Sequence, residues 1–305
     1  MTTAFGRAAT AVACLFAASS IAIAESPAGA LTGGVATHIV VRGDTLFALA
    51  ARAGVDTATL AADNGLDRTQ PLVIGQRLTI DNRHLVIPRE IGTGAEVVIN
   101  LPQRLLFFFD GSVAGLPVAV GRRTWPTPIG DFRIAVRETD PTWDVPASIR
   151  AEARKLGRSL PRSVPPGPSN PLGKFWIGLA GAGFGVHGTN APSSIYGVVT
   201  HGCVRLHPDD IAWLFPRVKV GMTVRIVYEP ILLAEVGGRV FLEVHPDVYR
   251  RAPVSIASVR TRATELRLDR QIDWTQAARV VALQQGVARD VTAAATSGTE
   301  EGVAP

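Results

Sequence analysis

Cysteine is scarce in this chain: only Cys14 and Cys203 occur among 305 residues. Cys14 falls inside an N-terminal segment with the features of a secretory signal, so the exported protein would keep Cys203 alone. A single cysteine excludes an intramolecular disulfide framework. A solitary thiol in an oxidising compartment is either a buried structural residue or a reactive group.

The sequence also lacks an apolar run long enough to span a membrane. Arg7 precedes an apolar stretch over residues 8–18, and small residues lead to Ala22-Ile-Ala24 before Glu25. A spanning helix needs roughly 20 apolar residues, whereas an A-x-A ending is typical of signal-peptide cleavage. We therefore expect residues 1–24 to be a signal peptide that is cleaved after Ala24. An uncleaved membrane anchor and a lipid attached to Cys14 are the alternatives.

Long runs of one charge are absent as well. Lys and Arg number 31 against 26 Asp and Glu, and no basic stretch is interleaved with aromatic residues. This pattern argues against nucleic acid as a partner. A mildly basic exported protein is better matched to an anionic cell wall.

The N-terminal part reads as a lead followed by a small module. Residues 25–37 are small and polar and predict a flexible lead that packs against nothing. From His38 the pattern predicts a strand, a helix capped by Asp44 and ended by Gly54, a second helix and a closing strand over residues 76–80. The order of elements and three short motifs resemble the LysM module over residues 38–81; the motifs are Val40-x-x-Gly43-Asp44-Thr45-Leu46, Asn64-Gly65-Leu66 and Ile74-Gly75-Gln76-x-Leu78. The resemblance implies binding of glycan strands, and a degenerate module that serves only as a spacer is the alternative.

The central part reads as a β-rich domain interrupted by a proline-rich stretch. Alternating apolar residues predict strands from residue 96 onward, with a last strand over residues 223–228. Seven prolines fall between residues 141 and 173 around one short helical stretch. A long excursion of this kind is often a lid or a binding loop, although its apolar residues, Trp143 especially, would equally suit packing against the sheet.

The C-terminal part predicts a small appendage over residues 230–291. It contains a strand over residues 240–244 and a helix over residues 275–285. From Thr292 to residue 305 the composition predicts a disordered tail.

The segment with the clearest chemistry places His187 sixteen positions before Cys203. His187 opens His187-Gly-Thr-Asn190, and Cys203 lies within Thr200-His-Gly-Cys-Val-Arg-Leu206. A neighbouring imidazole lowers the pKa of a thiol and can later protonate a leaving amine. The flanking glycines let the backbone approach a reacting carbonyl and offer amides to an oxyanion.

Two other interpretations use the same residues. His201 lies only two positions before Cys203 in an extended segment and has little freedom to reach it, so His187 is the better base; His201 would then contribute its backbone amide. A zinc site from His201, Cys203 and His207 lacks a familiar ligand spacing and a second cysteine.

At these motifs residues 95–229 resemble the L,D-transpeptidase catalytic domain of the YkuD type. Further matching segments are Thr127-Pro-x-Gly130, Pro141-Thr-Trp143 and the stretch from Val164 to Gly173. They indicate the branch labelled ErfK/YbiS/YcfS/YnhG, which is periplasmic and also carries LysM. The implied fold is a mainly β, sandwich-like domain with a mixed sheet, a short helix and a lid loop, beside the small α+β LysM domain and the appendage.

The resemblance also implies roles for individual residues. Cys203 would be the nucleophile, His187 the proton donor and acceptor, and the carbonyl of Gly188 the group that orients the imidazole. The oxyanion hole would consist of the backbone amides of His201, Gly202 and Cys203. The implied substrate-binding residues are Arg205, Trp143 and Asn190, and no metal or cofactor is implied.

The implied reaction is acyl transfer on peptidoglycan. Cys203 would form a thioester with diaminopimelate of a tetrapeptide stem, release D-alanine, and pass the acyl group to an amine. The amine would belong to a second stem, giving 3→3 cross-links, to an outer-membrane lipoprotein or to another envelope protein, and water is a further acceptor. The alternatives are a non-catalytic glycan-binding wall protein and a cysteine peptidase of stem peptides. Sortase-like and NlpC-type enzymes fit less well because their histidine and cysteine are spaced or ordered differently.

Overall fold

The computed structural model describes residues 30–87, 96–181 and 183–294. The predicted signal peptide with its cleavage site after Ala24, the first residues of the lead, and the tail from residue 295 lie outside the described residues. Within the described ranges, no helix combines the length and apolar character needed to cross a membrane.

The N-terminal unit combines two helices with four short strands. They are β1 (Leu31–Thr32), β2 (Val35–Ile39), α1 (Leu46–Ala53), α2 (Thr57–Asp63), β3 (Arg77–Asp81) and β4 (His84–Leu85). β2 pairs antiparallel with β3. The two helices share a small core in which Leu46, Leu60 and Ile80 are buried. The strand–helix–helix–strand order expected from the sequence is therefore present.

The cap of α1 differs from the prediction by one residue. Thr45, and not Asp44, is the N-cap, and its Oγ1 accepts a hydrogen bond from Ala48 N at 3.1 Å. Asp44 accepts hydrogen bonds from Val41 N and His38 Nε2 instead. Its carboxylate thus closes the turn that precedes the helix. Gly54 ends α1 in the left-handed region at φ 74°, as predicted.

The predicted flexible lead is ordered where the structure describes it. β1 pairs antiparallel with β4, and β2 begins at Val35. Leu31 packs on an apolar cluster that contains Leu85 and Phe107. The prediction for residues 25–37 was therefore wrong over residues 30–37. Strand pairing uses backbone groups, which small residues supply as well as large ones.

The central unit is a curled β-sheet with two helices. Its elements are β5 (Val97–Asn100), β6 (Leu105–Asp110), β7 (Ser112–Gly121), β8 (Gly130–Thr139), β9 (Trp143–Asp144), α3 (Ala147–Lys155), β10 (Ser163–Val164), β11 (Phe175–Leu179), β12 (Gly185–His187), β13 (Val198–Thr200), β14 (Val204–Leu206), α4 (Pro208–Leu214) and β15 (Thr223–Val227). A single-turn helix, Pro192–Ser194, lies between β12 and β13.

Nine of these strands form one mixed sheet in the order β13-β7-β14-β12-β11-β8-β15-β5-β6. β6 also pairs with β7, so the sheet closes on itself. The β12–β14, β13–β7 and β15–β5 pairs are parallel and the other pairs are antiparallel. The architecture is the mainly β, mixed-sheet class that the sequence predicts.

The core of the central unit lies inside the closed sheet and under α4. Its fully buried side chains are mostly branched aliphatic residues, including Ile99, Val118 and Val204, and Ile211 and Leu214 of α4 close one end. Burial of this kind contributes about 25 cal/mol per Å² of apolar surface. Cys203 is partly buried against this core.

The proline-rich excursion is ordered and attached to the sheet at both ends. β9 and β10 pair as a two-stranded ladder, and α3 lies between them in sequence. Buried Asn170 ties the base together: its Nδ2 donates to Pro141 O at 2.8 Å, and its Oδ1 accepts from Leu172 N at 2.9 Å. The excursion is therefore an ordered part of the domain.

The C-terminal unit is a three-stranded sheet with two helices. It contains β16 (Ile231–Val236), β17 (Arg239–Val244), α5 (Ile256–Glu265), α6 (Trp274–Leu283) and β18 (Arg289–Asp290). β16 and α5 were not predicted; α5 carries six polar or charged residues among ten. Thr292, placed in the disordered tail by the sequence, donates and accepts hydrogen bonds with Asp290 and Val240, so that boundary was wrong by a few residues.

A buried polar cluster joins the three units. Glu243 of β17 is fully buried, and its carboxylate accepts hydrogen bonds from His84, Gln103, His245 and Leu85 N. Burial opposes its charge, but the two histidines outweigh that effect and lower the pKa of Glu243 to about 2. The carboxylate therefore stays ionised and links β4, the turn between β5 and β6, and β17.

Ion pairs across the unit boundaries add to this attachment. Arg104, which is almost fully buried, binds the Asp56 carboxylate with both terminal nitrogens, at 3.0 and 2.9 Å. Arg52 of α1 binds Asp210 of α4 at 2.7 and 2.8 Å. The N-terminal unit is thus held directly against the central unit.

Candidate active site

The pairing of β12 with β14 brings His187 and Cys203 together. The two strands are parallel, with Val186 opposite Val204 and His187 opposite Arg205. Val186 and Val204 are both buried in the core, so His187 and Arg205 point to the other face. Cys203 directly precedes β14, and the backbone of Gly185, the first residue of β12, lies at its thiol. Continued by one residue, the register therefore places Cys203 opposite Gly185 and diagonally across from His187.

The His187 ring is fixed in one tautomer. Its Nδ1 lies 2.6 Å from the carbonyl oxygen of Gly188. A carbonyl oxygen only accepts, so Nδ1 carries the proton and Nε2 keeps its lone pair. The ring of Trp176 stacks on the imidazole, with centroids 5.9 Å apart. The buried His187 ring is thus held by the Gly188 carbonyl at Nδ1 and by the Trp176 ring on one face.

The environment of His187 favours its neutral form. Burial lowers the pKa of His187 to about 4, and the nearby Arg205 cation acts in the same direction. Hydrogen bonds to the backbone at Gly188 and Leu172 oppose this shift only in part. The second of these groups comes from the end of the proline-rich excursion.

Cys203 is also held in its neutral form. Burial raises the pKa of the Cys203 thiol, and the backbone of Gly185 and the Arg205 cation lower it by less. The expectation that the imidazole lowers the thiol pKa is not met in the free protein, because His187 is itself uncharged. In the free protein the two groups are therefore a thiol and a neutral imidazole.

The loop before Cys203 is built around Thr200. Its Oγ1 donates to the carbonyl of Cys203 at 2.6 Å and accepts from Gly202 N at 3.3 Å. Gly202 adopts φ 105°, which a residue with a side chain rarely reaches. Of the three amides predicted for an oxyanion hole, that of Gly202 is engaged by Thr200 in this state.

The three predicted substrate-binding residues occupy different surroundings. Arg205 is held by Ser194, whose Oγ accepts from Nη1 at 2.8 Å. Asn190 is exposed, and its Nδ2 lies 3.4 Å from Pro168 O of the excursion. Trp143 lies in the β9–β10 ladder opposite Val164 and is half-buried. Only Arg205 is on the strand that follows Cys203.

The His201 side chain is occupied by partners other than the thiol. Its Nε2 lies 2.6 Å from Glu152 Oε2 and 3.0 Å from Arg122 Nη2, and the Trp125 ring meets it edge-on. This arrangement favours His187 over His201 as the base. In the part of the chain that the structure describes, no group of three or more His, Cys, Asp or Glu side chains is placed to hold a metal ion.

Several residues at the site were missed by the sequence analysis. Glu152 and Arg122 hold His201, Trp176 covers His187, Ser194 holds Arg205, and Tyr249 of the C-terminal unit reaches Gly121 and Thr127. One signal was available for Glu152: it is the only acidic residue between positions 147 and 162, among four arginines and a lysine. The others depend on long-range packing and carry no local signal.

Comparison with known families gives two matches in this chain. A model of the YkuD family, described as the L,D-transpeptidase catalytic domain, matches residues 94–226. A model of the LysM domain matches residues 38–81.

Curated relatives match over longer stretches. The probable L,D-transpeptidase ErfK/SrfK of Salmonella typhimurium is 34% identical over 228 residues, covering 72% of this chain and 72% of that protein. YcfS of Escherichia coli, which bears the same description, is 36% identical and covers 72% and 71%. For YbiS of Escherichia coli, at 36% identity, the match spans 53% of this chain and about half of the relative, 54%.

Solved structures give partial matches. The L,D-transpeptidase from Mycobacterium smegmatis aligns with a TM-score of 0.33 and 26% identity, covering 51% of this chain and 64% of that one. The family model falls on the unit that contains His187 and Cys203, and two relatives match across more than two thirds of both proteins. The chain therefore belongs to the L,D-transpeptidase family, with a LysM domain in front of its YkuD catalytic domain.

Proposed function

We propose that this protein is a periplasmic L,D-transpeptidase that works through a thioester on Cys203. The observation that carries the proposal is the β12–β14 register, which sets Cys203 diagonally opposite His187, whose Nδ1 lies at the Gly188 carbonyl. Family membership supports the same reaction class.

The first half-reaction is acylation. The Cys203 sulfur attacks the carbonyl carbon of diaminopimelate in a tetrapeptide stem while His187 Nε2 takes the thiol proton. A C–S bond forms, the peptide C–N bond breaks, and the imidazolium returns its proton to the leaving D-alanine amine. Proton transfer during attack suits this pair, because both groups are neutral at rest.

Backbone amides stabilise the oxyanion of the tetrahedral intermediate. The amides of His201 and Cys203 flank Gly202 in the loop that Thr200 braces. Gly202 N donates only a long 3.3 Å bond to Thr200, so it can turn to a stronger acceptor. One such donor is worth about 3 kcal/mol of transition-state stabilisation in other acyl transfers.

The second half-reaction returns the enzyme to its free thiol. An amine attacks the thioester, a C–N bond forms, the C–S bond breaks, and the proton passes through His187 to the sulfur. A second stem peptide as acceptor gives a 3→3 cross-link, and a lipoprotein or another envelope protein gives covalent attachment. Arg205 is suited to a stem carboxylate, since it carries a positive charge on the strand that directly follows Cys203.

We further propose that the LysM domain holds the enzyme on glycan strands. Deleting residues 38–81 is a poor test, since it would remove Asp56 from Arg104 and Arg52 from Asp210. Ile74, which is 64% exposed, offers a milder change. Ile74→Asp should weaken pull-down with intact sacculi, whereas Val220→Asp, at a site on the catalytic unit exposed to 62%, should not. Equal binding by both variants would remove the support for a tether.

The decisive experiment uses mass spectrometry of the mature protein with tetrapeptide muropeptide. We expect release of D-alanine together with a covalent adduct on Cys203 or a 3→3 dimer, and neither product with Cys203→Ala. A tripeptide product without an adduct or a dimer would identify water as the acyl acceptor and the protein as a peptidase. Turnover by a folded Cys203→Ala protein would exclude the thioester mechanism, and no product with the wild-type protein would favour a binding role.

A further inference from the structure

The proline-rich excursion contacts the loop over residues 200–203, here called the nucleophile loop, through one side chain. Glu152 of α3 lies with Oε2 2.6 Å from Nε2 of His201, two residues before Cys203. A carboxylate only accepts, so His201 Nε2 carries the proton and donates it. The contact joins residues 49 positions apart in sequence.

The other oxygen of Glu152 is used by a second loop. Arg122 follows β7, and its Nη2 binds Glu152 Oε1. The backbone of Arg122 also donates to Thr200 O at 3.0 Å, and Trp125 packs edge-on against His201. One carboxylate therefore fastens the loop over residues 121–127 and the nucleophile loop to α3.

The rest of α3 makes this carboxylate stand out. Residues 147–162 hold Arg150, Arg154, Lys155, Arg158 and Arg162, with Glu152 as the single acidic residue. The side chain of Glu152 is about one third exposed, so general burial does not require it. Its two partners both belong to the loops that surround the nucleophile.

We propose that Glu152 is a positioning residue for the transfer reaction, acting through the His201 side chain. Holding the His201 ring in place also restrains the backbone of His201. The amides of His201, Gly202 and Cys203 lie in one short turn, so their directions are set with it. The carboxylate thus sets the direction of the amide donors without touching the substrate. This inference rests on the proposed function for its kinetic test. A second test measures only the reactivity of the Cys203 thiol.

The kinetic test is a double-mutant cycle on D-alanine release. Glu152→Gln and His201→Asn should each lower kcat about tenfold and change KM by less than about twofold. The double variant should be no slower than the slower single variant, since both changes break one connection. Losses that multiply in the double variant, or a Glu152→Gln enzyme within about twofold of wild type, would overturn the proposal.

A matched control separates positioning from general surface charge. Glu265 is exposed and pairs with Arg262 at 3.2 Å on α5, at the C-terminal unit. Glu265→Gln removes the same carboxylate from a similar ion pair and should leave kcat unchanged. Thermal unfolding of all variants shows whether they remain folded at the assay temperature.

The second readout does not need catalysis. Iodoacetamide alkylation of Cys203 reports the placement of the loop, and Glu152→Gln should change its rate constant at least about threefold while Glu265→Gln does not. If the wild-type protein released no D-alanine, the proposed function would fail but this measurement would still decide the role of Glu152. An alkylation rate equal to wild type would overturn it.

Discussion

Thr200 Oγ1 donates a 2.6 Å hydrogen bond to the backbone carbonyl of Cys203, the residue proposed as nucleophile. The same oxygen accepts from Gly202 N. One hydroxyl therefore closes the turn that presents the thiol, and the left-handed φ of Gly202 is the geometry that this closure requires.

Thr200→Val should slow acylation about ten- to a hundredfold, because valine keeps the volume of threonine but removes both hydrogen bonds. The partly buried carbonyl of Cys203 then loses its partner. Thr200→Ser is the control, since it retains the hydroxyl and should stay near wild type. Intact-mass time courses of the thioester measure both; equal rates for valine and serine would contradict the role of the hydroxyl.

Arg205→Gln should raise the pKa of both Cys203 and His187, because the Arg205 cation lowers each of them in the native protein. The midpoint of the pH–alkylation profile of Cys203 would then move to higher pH. Arg205→Lys keeps a positive charge and should give a smaller shift. A midpoint that is the same in all three proteins would show that Arg205 acts on the substrate alone.

Acid should destabilise the fold through His187. Its folded pKa of about 4 lies below the ordinary value of 6.5, so the unfolded chain binds more protons between these values. The stabilisation is complete above pH 6.5 and is lost as pH falls toward 4, by about 3 kcal/mol in all. His187→Gln should flatten this part of the urea-unfolding profile. A profile parallel to wild type would contradict the buried neutral ring.

Tyr249→Phe should loosen the loop over residues 121–127. The Tyr249 hydroxyl donates to Gly121 O and accepts from Thr127 N at 3.3 Å, and all of these atoms are buried. Leaving them unpaired costs about 1–3 kcal/mol. Hydrogen exchange at Thr127 should accelerate, and Thr264→Ala on the exposed face of α5 should change nothing there. Unchanged exchange at Thr127 in Tyr249→Phe would show that the loop is held by other contacts.

Local sequence patterns predicted most of the elements near the site. Because alternating apolar residues identify a strand, the last strand of the central unit was predicted over residues 223–228, and in the structure it ends one residue earlier. The Thr200–Leu206 motif selected the loop and the nucleophile candidate. Family membership and the mixed β-sheet were likewise predicted, since they follow from these motifs.

Contacts between distant segments could not be predicted in the same way. The basic residues around Glu152 single it out in sequence but do not indicate that it binds His201, and nothing near Tyr249 indicates that it reaches Gly121. The neutral resting pair also escaped prediction, because burial decides the pKa of His187 and Cys203 and burial is a property of the whole fold. The roles of Trp143 and Asn190 remain predictions.

The packing of α1 fixes the position of the LysM domain relative to the candidate active site. Arg52 of α1 binds Asp210 of α4, and α1 also lies against the single turn whose Ser194 holds Arg205. A LysM domain joined by a flexible linker would let the catalytic domain reach many positions around the bound glycan. Here the distance between a glycan bound to the LysM domain and the Cys203 sulfur would be constant. The enzyme would then react with stem peptides at one fixed distance from the bound glycan.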